Sequence, residues 1–392
     1  VRAAASIAAA ALASAACSER MTSTERFTLG PPAPGAAVAP GQPEAVARAE
    51  PLFAAPLAEG TWPVFAPDGS RCAIEARSDA TWATRVGDPL PPEGLAARIE
   101  AHDCDPRRAG RLTTVLEGPW VLGRSATAEG FLVERPRADG GRDVGIAAWD
   151  GGVRMVAEDG ATNAFATARP DGSLAWCRRA PEGGDWHLVV ARPDGSRRVT
   201  APAPGSSMLM PVFSGDGAGL FALRLDGRAL SACWIALGAD GLPAPDAASR
   251  PGASVPISMR SNLSLAVECA RAAPGAAASP AGRDDVLLWL HEARTVGRWA
   301  PGGEVERLPP GTRSAVLIDD DNALATRSGG VHRQRMPGTA PPGPALLAEP
   351  WVLVPVGGDQ PSFVGARAPG VGQVEVARIS LEARQAPETG SR

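Results

Sequence analysis

The sequence predicts an all-β chain, a β-propeller of about seven four-stranded blades, its ring closed by a strand from the N-terminal side. Three observations predict it. Gly (45) and Pro (39) make up about a fifth of the 392 residues and are spread evenly. Both are poor inside helices and punctuate turns, so their density favours many short strands. A turn motif followed by an apolar run recurs at a mean spacing of about 48 residues, the scale of a four-stranded blade. The last unit offers three strands, while a spare strand precedes the first. The steps between copies vary, and six or eight blades also fit them.

Composition narrows the function classes. With 44% hydrophobic residues the chain can bury a substantial core. The net charge is −4, every basic residue is Arg, and the two signs are interspersed. No basic stripe exists, so the footprint of a nucleic-acid binder is absent. Outside the N-terminus no apolar run reaches membrane-spanning length.

Residues 1–17, VRAAASIAAAALASAAC, place one Arg before an Ala-rich uncharged stretch and then small residues. That order is the layout of a secretory signal. Ala13-Ser14-Ala15 fits a small-x-small cleavage site. Ala15-Ala16-Cys17 resembles the end of a bacterial lipobox, which would lipidate Cys17, although Ser14 stands where a large apolar residue is usual. If translation starts at Met21, the protein is instead cytoplasmic. Residues 18–47 read as a Pro/Ala/Gly tether. The propeller is expected over 48–384, with a flexible tail at 385–392. Membrane contact is expected only through the N-terminal anchor, which would place the protein in the periplasm or on the outer membrane or cell surface.

The turn motif is clearest at Phe65-Ala66-Pro67-Asp68-Gly69-Ser70, Ala168-Arg169-Pro170-Asp171-Gly172-Ser173 and Phe213-Ser214-Gly215-Asp216-Gly217-Ala218. Pro presets φ, Asp can accept from nearby amides, and Gly takes positive φ. Weaker copies stand at Glu129-Gly130, Asn262, Asp321-Asn322 and Asp359-Gln360. One unit reads as four strands: a at Ala164–Arg169, b at Leu174–Arg178, c at Trp186–Ala191 and d at Arg197–Thr200. The shape of strand d recurs at residues 111–115, 153–156 and 305–308. The last unit has strands near 351–356, 362–367 and 373–381, and residues 50–55 can supply its fourth. Closing the ring this way removes exposed sheet edges.

Pro170-Asp171-Gly172 and the run Asp194-Gly195-Ser196-Arg197-Arg198-Val199-Thr200 resemble the PD40 (WD40-like) repeats of TolB-type bacterial propellers. The resemblance covers residues 61–240 and thins beyond 270. It implies a fold and an exported bacterial setting more than a function.

The chemistry-bearing residues are few. There are four His and no Tyr, and no GxSxG, HExxH, Walker or dinucleotide motif occurs. His102-Asp103-Cys104-Asp105 alternates possible metal ligands but matches no known ligand spacing, and Asp319-Asp320-Asp321-Asn322 lacks the pattern of an EF-hand and reads as a solvated turn. No metal or cofactor is expected. Six Cys leave five if Cys17 is processed, and an odd number gives no neat disulfide framework. Cys72, Cys177, Cys233 and Cys269 sit in apolar runs and read as small buried hydrophobes.

Each expected strand b ends in Arg: Arg77, Arg135, Arg178, Arg224, Arg271, Arg327 and Arg367. In a ring these ends share one face. They read either as an electropositive collar for an anionic ligand, or as a duplicated strand-end role with Arg stems over apolar rims. The strand-end role is preferred. The b-to-c connections lie on the same face. The first, Ser78–Gly94, carries Trp82 and Arg85, and the fifth is Ala272–Gly282. Trp and Arg anchor many protein interfaces, so contact with another protein or peptide is expected at Trp82 and Arg85. The functional expectation is a non-catalytic binding scaffold at the cell envelope. The alternatives are a propeller-fold lyase or glycoside hydrolase with a central-channel site, or a structural accessory subunit.

Overall fold

The structure, a computed structural model, describes residues 45–383 apart from 60, 81–93, 216, 259–261, 264–284, 291, 319–321, 337–342 and 357–361. The described strands form seven four-stranded antiparallel sheets, each built a-b-c-d from the channel outward. Blades one to six span residues 64–118, 121–157, 162–200, 206–257, 262–307 and 314–347. Blade seven takes strands a to c from Val352–Val356, Ser362–Gly370 and Gln373–Ala383, and its outer strand is Ala45–Pro56. This is a seven-bladed β-propeller. Among the described residues no helix is long and apolar enough to cross a membrane.

The turns form for the reasons their residues suggest. Asp68, Asp171 and Asp194 each accept, through Oδ1, the amide of the Ser two residues on, all at 2.9 Å. The Gly between them takes positive φ in every case, +66° at Gly69, +85° at Gly172 and +86° at Gly195. Gly69 answers a second demand: a Cβ there would lie 2.0 Å from Val356 Cγ1 of blade seven. The turn of blade one can dock on its neighbour only without a side chain.

Blade three is Thr162–Ala168, Leu174–Arg179, His187–Ala191 and Arg197–Thr200, so the four expected strands stand within two residues of their reading. Blade five departs from it. Asn262 and Leu263 pair with Trp289 and Leu288 as strand a, which makes Val286–Leu290 strand b. Asn262 therefore does not lie in the a-to-b turn. Alternation in Leu263-Ser264-Leu265 marks a strand but not its rung in the blade. Arg271 and the Ala272–Gly282 connection lie outside the described residues.

Apolar faces pack blade on blade all round the ring. Val64, Ile99, Phe131 and Trp149 join blades one and two; Leu132, Ile146, Trp176 and Val189 join two and three. A large cluster from Phe165 to Leu317 runs through blades three to six. Val316, Leu324, Trp351 and Phe363 join six and seven. The last junction closes the circle: Val356, Val364 and Val376 of blade seven bury Phe65, Cys72 and Ile74 of blade one. The outer strand pairs with strand c of blade seven from Ala45↔Ala383 to Pro56↔Gln373, with one irregularity between Pro51 and Phe53. It starts three residues before the expected boundary at 48. The ring of its Phe53 stacks on His102 of blade one, ring centroids 5.0 Å apart.

Candidate binding face

Strand b of each blade runs outward from the a-to-b turn, so its end and the following connection lie on the face where d of one blade passes to a of the next. Six of the expected Arg residues are described, and the pairing puts them at matching strand ends. Arg77, Arg135, Arg178, Arg224, Arg327 and Arg367 stand opposite Arg98, Asp143, His187, Ser231, Gly330 and Glu375 of strand c. Trp82, Arg85, Arg271 and Cys17 lie outside the described residues.

The collar is not a ring of open positive charge. Arg135 donates to Asp143 at 2.8 Å and to Glu158. Arg178 pairs with Asp159 at 2.9 Å and Arg224 with Asp226 at 3.1 Å. Arg367 meets Glu375 at 2.7 Å and Glu349 at 3.2 Å while lying over the Trp351 ring, 5.0 Å from its centroid. Arg327 donates to the Pro310 carbonyl at 2.7 Å. Arg77 is exposed. Its hydrogen bonds to Asp143 and Glu158 raise the pKa of Arg135 further. Four carboxylate-met guanidiniums make a face of mixed sign.

Between blades two and three these side chains form a clamp. Arg137, one residue past strand b, donates to Asp143 at 2.6 Å, to the Ala161 carbonyl at 3.1 Å and to the Gly160 carbonyl at 2.8 Å. It thereby ties the b-to-c connection to the passage into blade three. Asp159 on that passage accepts from Asn163 at 3.1 Å and from Arg178, and Asn163 accepts from the buried Trp176 indole at 3.0 Å. Burial opposes ionisation of Asp159, but the donors Asn163 and Arg178 prevail and hold its carboxyl below the usual range.

Two buried acids lie just inside this face, and the sequence reading missed them. Glu134 bonds Arg142 at 2.9 Å, both nearly sealed from solvent, and accepts the Phe165 amide of blade three at 2.7 Å. Phe165 has φ +58° at a bulge in strand a. Glu75 does the same work one blade earlier, accepting the Leu122 amide at 3.3 Å. Each acid reaches from strand b of one blade to strand a of the next. Glu134 directly precedes Arg135 in the repeat, and that adjacency was the available signal. Among the described residues no three His, Cys, Asp or Glu side chains gather as a metal site. His102 stacks on Phe53, and Asp103 pairs with Arg108 at 3.6 Å.

No family model and no curated protein matches the sequence. Solved structures similar to it include streptogramin B lyase (12% identity, TM-score 0.38, 86% of this chain against 98% of that one). TolB from Acinetobacter baumannii is also among them (13% identity, TM-score 0.36, 76% against 78%). So is puromycin hydrolase (16% identity, TM-score 0.47, 81% of this chain against 52% of that one). No activity follows from likenesses at this level.

Proposed function

We propose that the chain is an exported, non-catalytic binding propeller that holds another protein or peptide on the face carrying the strand-b Arg ends. The observation that carries this reading is the direction of the closing strand. Ala45 pairs with Ala383 at one end of blade seven, and Pro56 with Gln373 at the other, near the Arg367–Glu375 rung. The preceding segment therefore joins the ring at the end opposite the Arg face. A tether attached there leaves that face unobstructed. Loops on a rigid scaffold are where recognition usually sits, and the connection with Trp82 and Arg85 joins strands b and c on that side. The mixed charge of the face suits a peptide or protein surface better than a free anion, which would compete with Asp143, Asp159, Asp226 and Glu375 for the guanidiniums.

A crosslinked pull-down from native envelope fractions tests the reading, with full-length chain as bait and a Trp82→Ala, Arg85→Ala double variant beside it. Contact through this connection predicts lost capture with an unchanged melting temperature. A lowered melting temperature with intact capture would make the connection structural and overturn the choice of face.

A further inference from the structure

Between blades two and three every guanidinium of the face is met by a carboxylate: Arg135, Arg137 and Arg178 pair with Asp143, Glu158 and Asp159. The seam between blades three and four is different. Arg179 is the last residue of strand b in blade three and stands opposite Thr162 of strand a. Arg178 shares its side of the sheet with Trp176, which packs on blade two. Alternation sends Arg179 to the other side, with Cys177, whose cluster reaches into blade four. There its guanidinium carbon lies over the Trp186 ring, 4.7 Å from the centroid. Trp186 is a fixed platform. Its amide donates to Ser207 Oγ at 3.1 Å and its carbonyl accepts the Met208 amide at 2.9 Å, both from strand a of blade four. Its buried ring tilts against Phe165, centroids 5.7 Å apart. Among the described residues no carboxylate meets Arg179. Asp185 accepts the Gly205 amide at 2.8 Å. Asp226 accepts from Arg224 and from the Ser206 hydroxyl. Partial burial thus acts on Arg179 unopposed and pulls its pKa below the ordinary arginine value.

We propose that Arg179, seated on Trp186, is the point at which this face reads an acidic side chain, Asp or Glu, of the bound peptide. The proposal rests on the face assigned above and names the chemistry of its partner. The ring attracts the cation through its π face. A guanidinium carries its N–H donors in a planar fork, which matches a carboxylate with two parallel bonds. A partly buried cation without a counter-ion has given up water and received nothing in return, and an incoming carboxylate restores that loss. Arg77 is exposed, so water already serves it and an ion pair there gains less. The neighbouring acids choose between anions. Asp159 and Asp226 flank the seam on either side, and they repel a phosphate, with nearly two charges, more than a single carboxylate.

An array of short random peptides, each made in paired Glu and Gln versions at its central position, tests this with full-length protein, and the captured pairs are titrated. The expected result is a preference for the Glu version of about tenfold or more in Kd. It should vanish in Arg179→Met, whose unbranched stem still covers Trp186, at an unchanged melting temperature. Arg179→Lys keeps the charge and loses the fork, so it should weaken the preference without removing it. Equal affinity for the two versions overturns the proposal, as does a preference that survives undiminished in both variants. Capture lost in the Trp82→Ala, Arg85→Ala variant, with no preference for Glu, removes Arg179 from the site and leaves the face standing. Capture indifferent to every one of these variants overturns the face as well, and so does the absence of any captured pair.

Discussion

A buried carboxylate is tolerated only when every neighbour answers it, and Glu134 is answered from two blades. Arg142 supplies the charge, and the Phe165 amide supplies a donor that the strand-a bulge has turned out of its own ladder. Removing one member of such a set costs more than the set contributes, because the remaining charge stays buried. Glu134→Ala should therefore lower the unfolding free energy by about 3 kcal/mol, read by urea denaturation. Glu134→Gln keeps an oxygen for the Phe165 amide and should cost less. Equal losses for the two variants would assign the whole effect to the Arg142 charge and none to the contact between blades.

At the scale of elements, the closing strand carries the most weight for its length. It covers strand c of blade seven along its whole edge. It also sends Leu52, Phe53 and Ala55 toward blade one, and Ala47 and Ala49 toward blade six. Deleting residues 45–56 should lower the melting temperature by at least about 5 °C and promote association through the bared edge. Deleting residues 18–43 should leave the melting temperature where it is. Calorimetry on the two truncations decides the matter, and equal values would mean that the ring holds without its outer strand.

At the scale of the whole molecule, the closing strand sets the end at which the N-terminal segment joins the ring. A chain exported and held through Cys17 would present the Arg face away from the membrane, since the closing strand joins the ring at the other end. Tagged full-length protein should then sit in the envelope fraction, and Cys17→Ala should abolish lipid labelling. Recovery in the soluble cytoplasmic fraction would sink the export reading. Unchanged labelling in the variant would sink the lipidation of Cys17 alone.

The sequence by itself determined whatever is local and repeated. Pro, Asp, Gly and Ser at Pro170–Ser173 and Pro193–Ser196 specify their turns through one side chain–amide bond and one positive φ. Repetition of such turns was enough to predict a propeller of about seven blades, the strands of blade three and the borrowed fourth strand of the last blade. Only the tertiary structure decided what depends on neighbours far along the chain. The rung taken by Asn262 and Leu263 depends on pairing with residues 288–289, and alternation is the same on every rung. The sign of the Arg face depends on Asp143, Glu158, Asp159, Asp226, Glu349 and Glu375, which arrive from strand c, from strand b or from a passage between blades. The reach of Glu134 into blade three depends on how neighbouring blades pack. A short-period pattern records which residues turn and which face inward, but it does not record which partner each polar group meets once the ring is closed.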